Sequence, residues 1–157
     1  MPASPLELNW SDADAIARAG AMLGAALRPS DVILLEGSVG AGKTHFARAL
    51  IQSLLAEPED VPSPTFTLVQ EYDTPNGTVW HADLYRISAQ SEVDELGLIE
   101  AFDQAICLVE WPDRLGSMTP RDALTLALAQ DREGRRATLT WNDGKWDDKL
   151  NVLVADA

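Results

Sequence analysis

An α/β layered domain, with a mixed central sheet flanked by helices, is predicted by three observations. Two short continuous apolar runs, Val32–Leu35 and Ala105–Val109, have the composition of strands buried on both faces. Stretches of helical period stand between and beside them. Two turn clusters, Asp73-Thr74-Pro75-Asn76-Gly77 and Asp131-Arg132-Glu133-Gly134, separate segments of strand composition. They predict a β-hairpin over residues 65–85 and a second, C-terminal hairpin. The 157 residues, 46% hydrophobic and 24% charged, suit one globular domain over 1–157. The tail from about residue 142 is left unassigned.

Taken in order, Ser11 is placed to cap a helix from Asp12 to Leu27, with Ile16, Met22, Leu23, Ala26 and Leu27 as its apolar stripe. Pro29 and Ser30 end it. Val32–Leu35 is the first buried strand, followed by a glycine-rich turn. A helix then runs from Lys43 to Leu55, with Phe46, Ala47, Leu50, Ile51, Leu54 and Leu55 at helical spacing. Residues 65–72 and 78–85 form the hairpin strands. Ser91-Glu92-Val93-Asp94 reads as the cap of a short helix that Gly97 interrupts. Ala105–Val109 is the second buried strand and stops at Glu110-Trp111-Pro112. Residues 123–129 and 137–141 alternate as half-buried strands do.

Charge narrows the function classes. Twelve Lys and Arg stand against 25 Asp and Glu, a formal charge of −13. Nucleic-acid affinity rests mainly on cations that neutralise phosphates, so tight independent binding of RNA is not expected. Residues 61–100 carry seven acidic side chains and one cation, Arg86. That excess is either a solubility feature or a docking face for a partner, and composition does not choose. The single cysteine, Cys107, allows no internal disulfide. No charged-then-apolar leader opens the sequence, and no apolar run approaches the ~18 residues of a membrane span. A cytoplasmic location is expected.

The chemistry concentrates in Gly37-Ser38-Val39-Gly40-Ala41-Gly42-Lys43-Thr44, which satisfies G-x-x-x-x-G-K-[ST]. Glycines let successive backbone N–H groups converge on phosphates, and the positive end of the following helix points at the same anion. Gly37, Gly40, Ala41, Gly42, Lys43, Thr44 and the adjoining His45 are therefore the candidate nucleotide-binding residues. Lys43 supplies charge to the β- and γ-phosphates, and the Thr44 hydroxyl is a ligand for Mg²⁺. Such a site needs a carboxylate at the end of a neighbouring strand, and Glu110 fits as the second metal ligand. Trp111 beside it either stacks on a ligand or packs over the strand end. Alternation puts Val79, His81, Asp83 and Tyr85 on one face of their strand. His81 and Asp83 are then either the wet face of a half-buried strand, or Asp83 reaches the metal and γ-phosphate and orients a water. In Ser63-Pro64-Thr65, a hydroxyl is placed to sense the γ-phosphate.

The ordered set GSVGAGKT (37–44), SPTFTLVQEY (63–72), HADLYR (81–86) and VEWP (109–112) closely resembles the TsaE (YjeE) family, over about residues 10–140. The resemblance implies a P-loop NTPase-like fold and an ATPase needed to make threonylcarbamoyladenosine on tRNA, beside the anticodon. It also implies ATP and Mg²⁺ as cofactors and TsaD and TsaB as partners. Carried over by position, Lys43 and the Gly40–Thr44 backbone hold phosphates, while Thr44 and Glu110 ligate Mg²⁺. Thr65 takes the switch-like position, and Asp83 lies in the motif tied to hydrolysis. Arg135 aligns with a position lining the nucleotide. The sequence departs from the family where Ser38 replaces an acid, Val39 a leucine and His45 often a threonine.

Together with the residues, the resemblance implies catalysis by Lys43, Thr65, Asp83 and Glu110, slow in isolation and modulated by partners. Two rivals stand beside ATP hydrolysis: a small-molecule kinase on the same fold, and a nucleotide-gated binding module with little catalysis. Arg86 or a partner's arginine is the candidate arginine finger.

Overall fold

A computed structural model describes residues 2–38, 40–65 and 67–155. Seven strands form one sheet in the order β1-β7-β6-β2-β5-β4-β3. They are β1 (Leu6–Trp10), β2 (Val32–Glu36), β3 (Val69–Thr74), β4 (Gly77–Asp83), β5 (Ile106–Glu110), β6 (Leu124–Asp131) and β7 (Gly134–Thr140). The centre, β6-β2-β5-β4, is parallel, and antiparallel pairs close both edges. This is the mixed α/β sheet that the two apolar runs and two turn clusters predict.

The apolar runs alternate between the faces of the sheet. Ile33, Leu35, Ile106 and Leu108 pack on one side with helices α1 (Ala13–Gly24) and α2 (Lys43–Leu54). Val32, Leu34, Cys107 and Val109 pack on the other, with α3 (Gln90–Glu95) and α4 (Leu98–Gln104). A strand covered on both faces needs apolar residues at every position, which is why these two runs are unbroken. Burial also pushes the Cys107 thiol up to about 12, leaving it protonated at neutral pH. Helices α1 and α2 approach closely because Gly20 has no Cβ. One built there would lie 2.9 Å from the Phe46 carbonyl oxygen.

Several local expectations are corrected. Asp12, not Ser11, caps α1: its backbone is extended and its carboxylate accepts from the Ala15 N–H at 2.8 Å. Both helices predicted from the apolar stripes end earlier, at Gly24 and Leu54. The first hairpin is present, but its strands begin at Val69 and stop at Asp83. Leu68 turns instead, at φ 70°, with its N–H returned to the Pro64 carbonyl at 2.7 Å. Ser91 lies inside α3, whose N-cap is Ala89, while Gly97 at φ 78° separates α3 from α4. Strand β1, unassigned from the sequence, pairs with β7.

The unassigned tail forms two short helices, α5 (Lys145–Lys149) and α6 (Asn151–Ala155). Trp146 is fully buried, and its indole N–H donates to the Asp122 carbonyl at 2.7 Å. Lys145 and Lys149 both pair with Asp31, itself 2% exposed, at the start of β2. Among the described residues, no helix is long and apolar enough to cross a membrane.

Candidate functional site

The parallel register sets the site. Leu35 of β2 and Asp83 of β4 both lie opposite Glu110 of β5, so three strand ends finish at one level. The loop leaving β2 at that level turns back into α2. Its glycines make this possible: Gly37, Gly40 and Gly42 adopt φ of 140°, 82° and 107°, where side chains are strained. A Cβ on Gly37 would lie 2.5 Å from the Leu128 carbonyl oxygen. Val39 and Phe66, which fall in two of the sequence motifs, lie outside the described residues.

A cleft of about 490 Å³ opens over these strand ends, and its walls include Lys43, Thr44, Thr65, Asp83, Glu110 and Trp111. The four residues expected to carry catalysis therefore share one cavity, as do Gly40, Gly42 and His45. Gly37 and Ala41 are absent from its walls: the Gly37 carbonyl accepts from Lys43, and Ala41 is buried. Thr44 donates to Glu110 Oε1 at 2.8 Å. Glu110 Oε2 lies 2.8 Å from His81 Nε2. Thr65 donates to Asp83 Oδ2 at 3.4 Å and shares a hydrogen bond with Ser63 at 2.8 Å. The other oxygen, Asp83 Oδ1, accepts from the Tyr85 N–H at 3.0 Å.

His81 and Asp83 are not a wet strand face. His81 is wholly buried and Asp83 is 6% exposed, both on the side of the sheet that faces α2. Alternation found the face, but the order of strands in the sheet decides that this face is covered.

Lys43 is a buried cation, bonded to the Gly37 and Ser38 carbonyls. Burial pulls its pKa below the ordinary lysine value, although Glu110 and Asp83 pull the other way. Its ammonium also lies 3.9 Å from the centre of the Trp111 ring, a cation–π contact. Trp111 sits at φ 58° and leans on Tyr85 with ring centres 4.8 Å apart. The stacking alternative for Trp111 thus has a partner within the protein: the site lysine. Tyr85, absent from the expected set, lines the cleft and is 51% exposed.

Arg135 is placed differently from the other candidates. It is absent from the walls of the main cleft and lines an adjoining hollow of about 270 Å³ with Trp10, Asp12, Gly40, Gly42 and His45. Its guanidinium donates to the Ala41 carbonyl at 2.9 Å and the Gly40 carbonyl at 3.1 Å. These bonds tie two carbonyls of the loop to β7. Sequence alone gives no signal for this brace, because the contact joins residues 94 and 95 positions apart.

A magnesium ion fits the donor set. Thr44 Oγ1 and Glu110 Oε1 are hydrogen-bonded side by side at the cleft wall, and Mg²⁺ in phosphate-loop proteins takes few protein oxygens, the rest coming from phosphate and water. The described residues contain no cluster of three or more His, Cys, Asp or Glu that could hold a metal.

The chain is similar in sequence and in fold to known proteins. The family model "Threonylcarbamoyl adenosine biosynthesis protein TsaE" matches residues 10–138. A tRNA threonylcarbamoyladenosine biosynthesis protein TsaE from Rickettsia bellii is 39% identical over 104 residues, 66% of this chain and 72% of that protein. One from Bacillus subtilis is 36% identical over 130 residues, covering 82% and 78%. The crystal structure of Bacillus subtilis YdiB superposes with a TM-score of 0.76 at 27% identity, covering 99% of each chain. The architecture is thus the α/β, P-loop NTPase-like fold, and the chain belongs to the TsaE family of threonylcarbamoyl adenosine biosynthesis proteins.

Proposed function

We propose that this chain is a Mg²⁺-dependent ATPase that serves threonylcarbamoyladenosine modification of tRNA together with TsaD and TsaB. The observation that carries the reading is one cleft holding a glycine-built phosphate loop, a desolvated lysine, a Thr44–Glu110 pair and the Thr65–Asp83 pair. Thr44 and Glu110 would hold Mg²⁺, which neutralises phosphate charge when bound. The loop N–H groups and Lys43 bind the phosphates, and Lys43 stabilises charge that develops as the terminal phosphate leaves. Asp83 orients the attacking water, with Thr65 holding its Oδ2 in place. The hollow beside Arg135 and His45 is where the rest of the nucleotide extends.

The partner is reached through the acidic stretch. Asp94 is exposed on α3, while Glu92 accepts a hydrogen bond from Ser88 at 2.8 Å. Asp94→Lys is expected to weaken ATP-dependent association with TsaD–TsaB in a pull-down, and unchanged association would return the acidity to solubility.

The deciding experiment replaces the native protein in cells with Glu110→Gln or Asp83→Asn and measures threonylcarbamoyladenosine by mass spectrometry. Loss of the modified nucleoside is expected. Full modification by a variant that binds ATP but does not hydrolyse it would favour a nucleotide-gated binding module instead.

A further inference from the structure

Glu110 is the only acidic side chain bonded to Thr44 among the described hydrogen bonds, and what holds it there is a second buried residue. His81 of β4 lies two positions before Asp83, on the same face, diagonal to Glu110 across the parallel β4–β5 register. It is wholly buried, and its Nε2 lies 2.8 Å from Glu110 Oε2. The carboxylate oxygen accepts, so Nε2 carries the hydrogen, and in the neutral ring the other nitrogen is the acceptor side. That Nδ1 is buried and has no hydrogen-bond partner. A bare imidazole acceptor is a smaller cost than an orphaned donor, so this tautomer suits the pocket. Burying a histidine with one ring nitrogen unpartnered costs stability, and the bond to Glu110 offsets part of that cost.

We propose that His81 is a positioning residue. By occupying Oε2 of Glu110 it fixes the carboxylate rotation that presents Oε1 to Thr44 and to a cation on the nucleotide phosphates. The chain His81–Glu110–Thr44 then runs from the buried end of β4 to the first turn of α2. Residues that hydrogen-bond a metal's carboxylate ligand orient it, and losing one costs about 10- to 100-fold in metal affinity. The inference rests on the Mg²⁺·ATP reading of the cleft.

Two polar replacements separate positioning from filling space. In His81→Gln the side-chain amide reaches about as far as Nε2 and restores a donor to Glu110. In His81→Asn it reaches only as far as Nδ1 and leaves Oε2 unbonded. The readout is the affinity of a fluorescent ADP analogue, titrated with Mg²⁺ and again in EDTA, with thermal unfolding recorded for each protein. His81→Asn is expected to need at least about tenfold more Mg²⁺ for half-maximal tight binding. Its EDTA affinity should stay within about twofold of the wild type, and His81→Gln should stay close to wild type in both. Equal Mg²⁺ requirements in the Asn and Gln variants would overturn the proposal, as would a loss confined to EDTA affinity. Should the wild-type chain itself show no Mg²⁺-dependent nucleotide binding, the reading of the cleft fails, which is a different result from equal variants.

Discussion

Two buried charge clusters sit near opposite ends of β2, and they do different work. At the end leading into the phosphate loop, Lys43 faces Glu110 and Asp83 across an open cleft, and burial holds its pKa below the usual value. Near the other end, Asp31 is held by Lys145 and Lys149 and also accepts from the Arg28 N–H at 2.8 Å. Burial alone would lower Lys145 too, but hydrogen bonds and charge from Asp122 and Asp31 outweigh it, and its pKa lies above the usual value. The same residue type is thus under-compensated at one end and satisfied at the other. An under-compensated cation beside a cleft is set to receive an anion; a satisfied one fastens the chain. Buried charge by itself marks neither function nor stability.

The largest break in this comparison comes from Lys43→Met. ATP turnover is expected to fall by about 10²–10³-fold, the scale of losing one preorganised charge at a reacting centre. Thermal unfolding should be unchanged or shifted upward, because a desolvation cost is removed with the cation. Asp31→Ala should do the reverse. Removing one member of a buried pair costs about 3 kcal/mol, the low end of the usual range because both lysines partly reach solvent. Chemical denaturation should show that loss while nucleotide binding is retained.

The smallest effect is a pH signature. Lys145 has a folded pKa above 10.5, so its contribution to stability is complete below pH 10.5 and is lost as pH rises through the raised value. Lys43 has a folded pKa below 10.5, so its cost is complete below that lowered value and lifts as pH climbs from there to 10.5. Unfolding midpoints of Lys43→Met and Lys145→Met, each relative to wild type, should therefore converge on it in alkali from opposite sides. A deficit in both variants at neutral pH would erase the distinction.

Much of the site was legible because its logic is local. The glycine spacing, the lysine and the threonine follow one another in eight residues, and Glu110 ends an apolar run that declares its strand. The sheet centre was legible for the same reason. What was missed depends on which strands become neighbours. Nothing in β4 alone says that His81 will be covered, since the cover comes from β5 and α2 on either side of it in space. Arg135 braces the phosphate loop only because β7 carries it to Gly40 and Ala41. The tail lacks a strong period and is held by Trp146 and two lysines that meet Asp31 across more than 110 residues. Residues 65–68 have strand composition, but Leu68 turns at positive φ, so tertiary demand overrides propensity.

On the proposed function, the end of β2 bearing Lys43 turns over ATP while the end bearing Asp31 only fastens the fold. Phosphate release from Mg²⁺·ATP by the wild-type chain, Lys43→Met and Lys145→Met, run side by side with and without TsaD–TsaB, tests it most directly. The predicted result is release by the wild type and Lys145→Met and almost none by Lys43→Met. Equal release by all three, or loss in Lys145→Met alone, would contradict it.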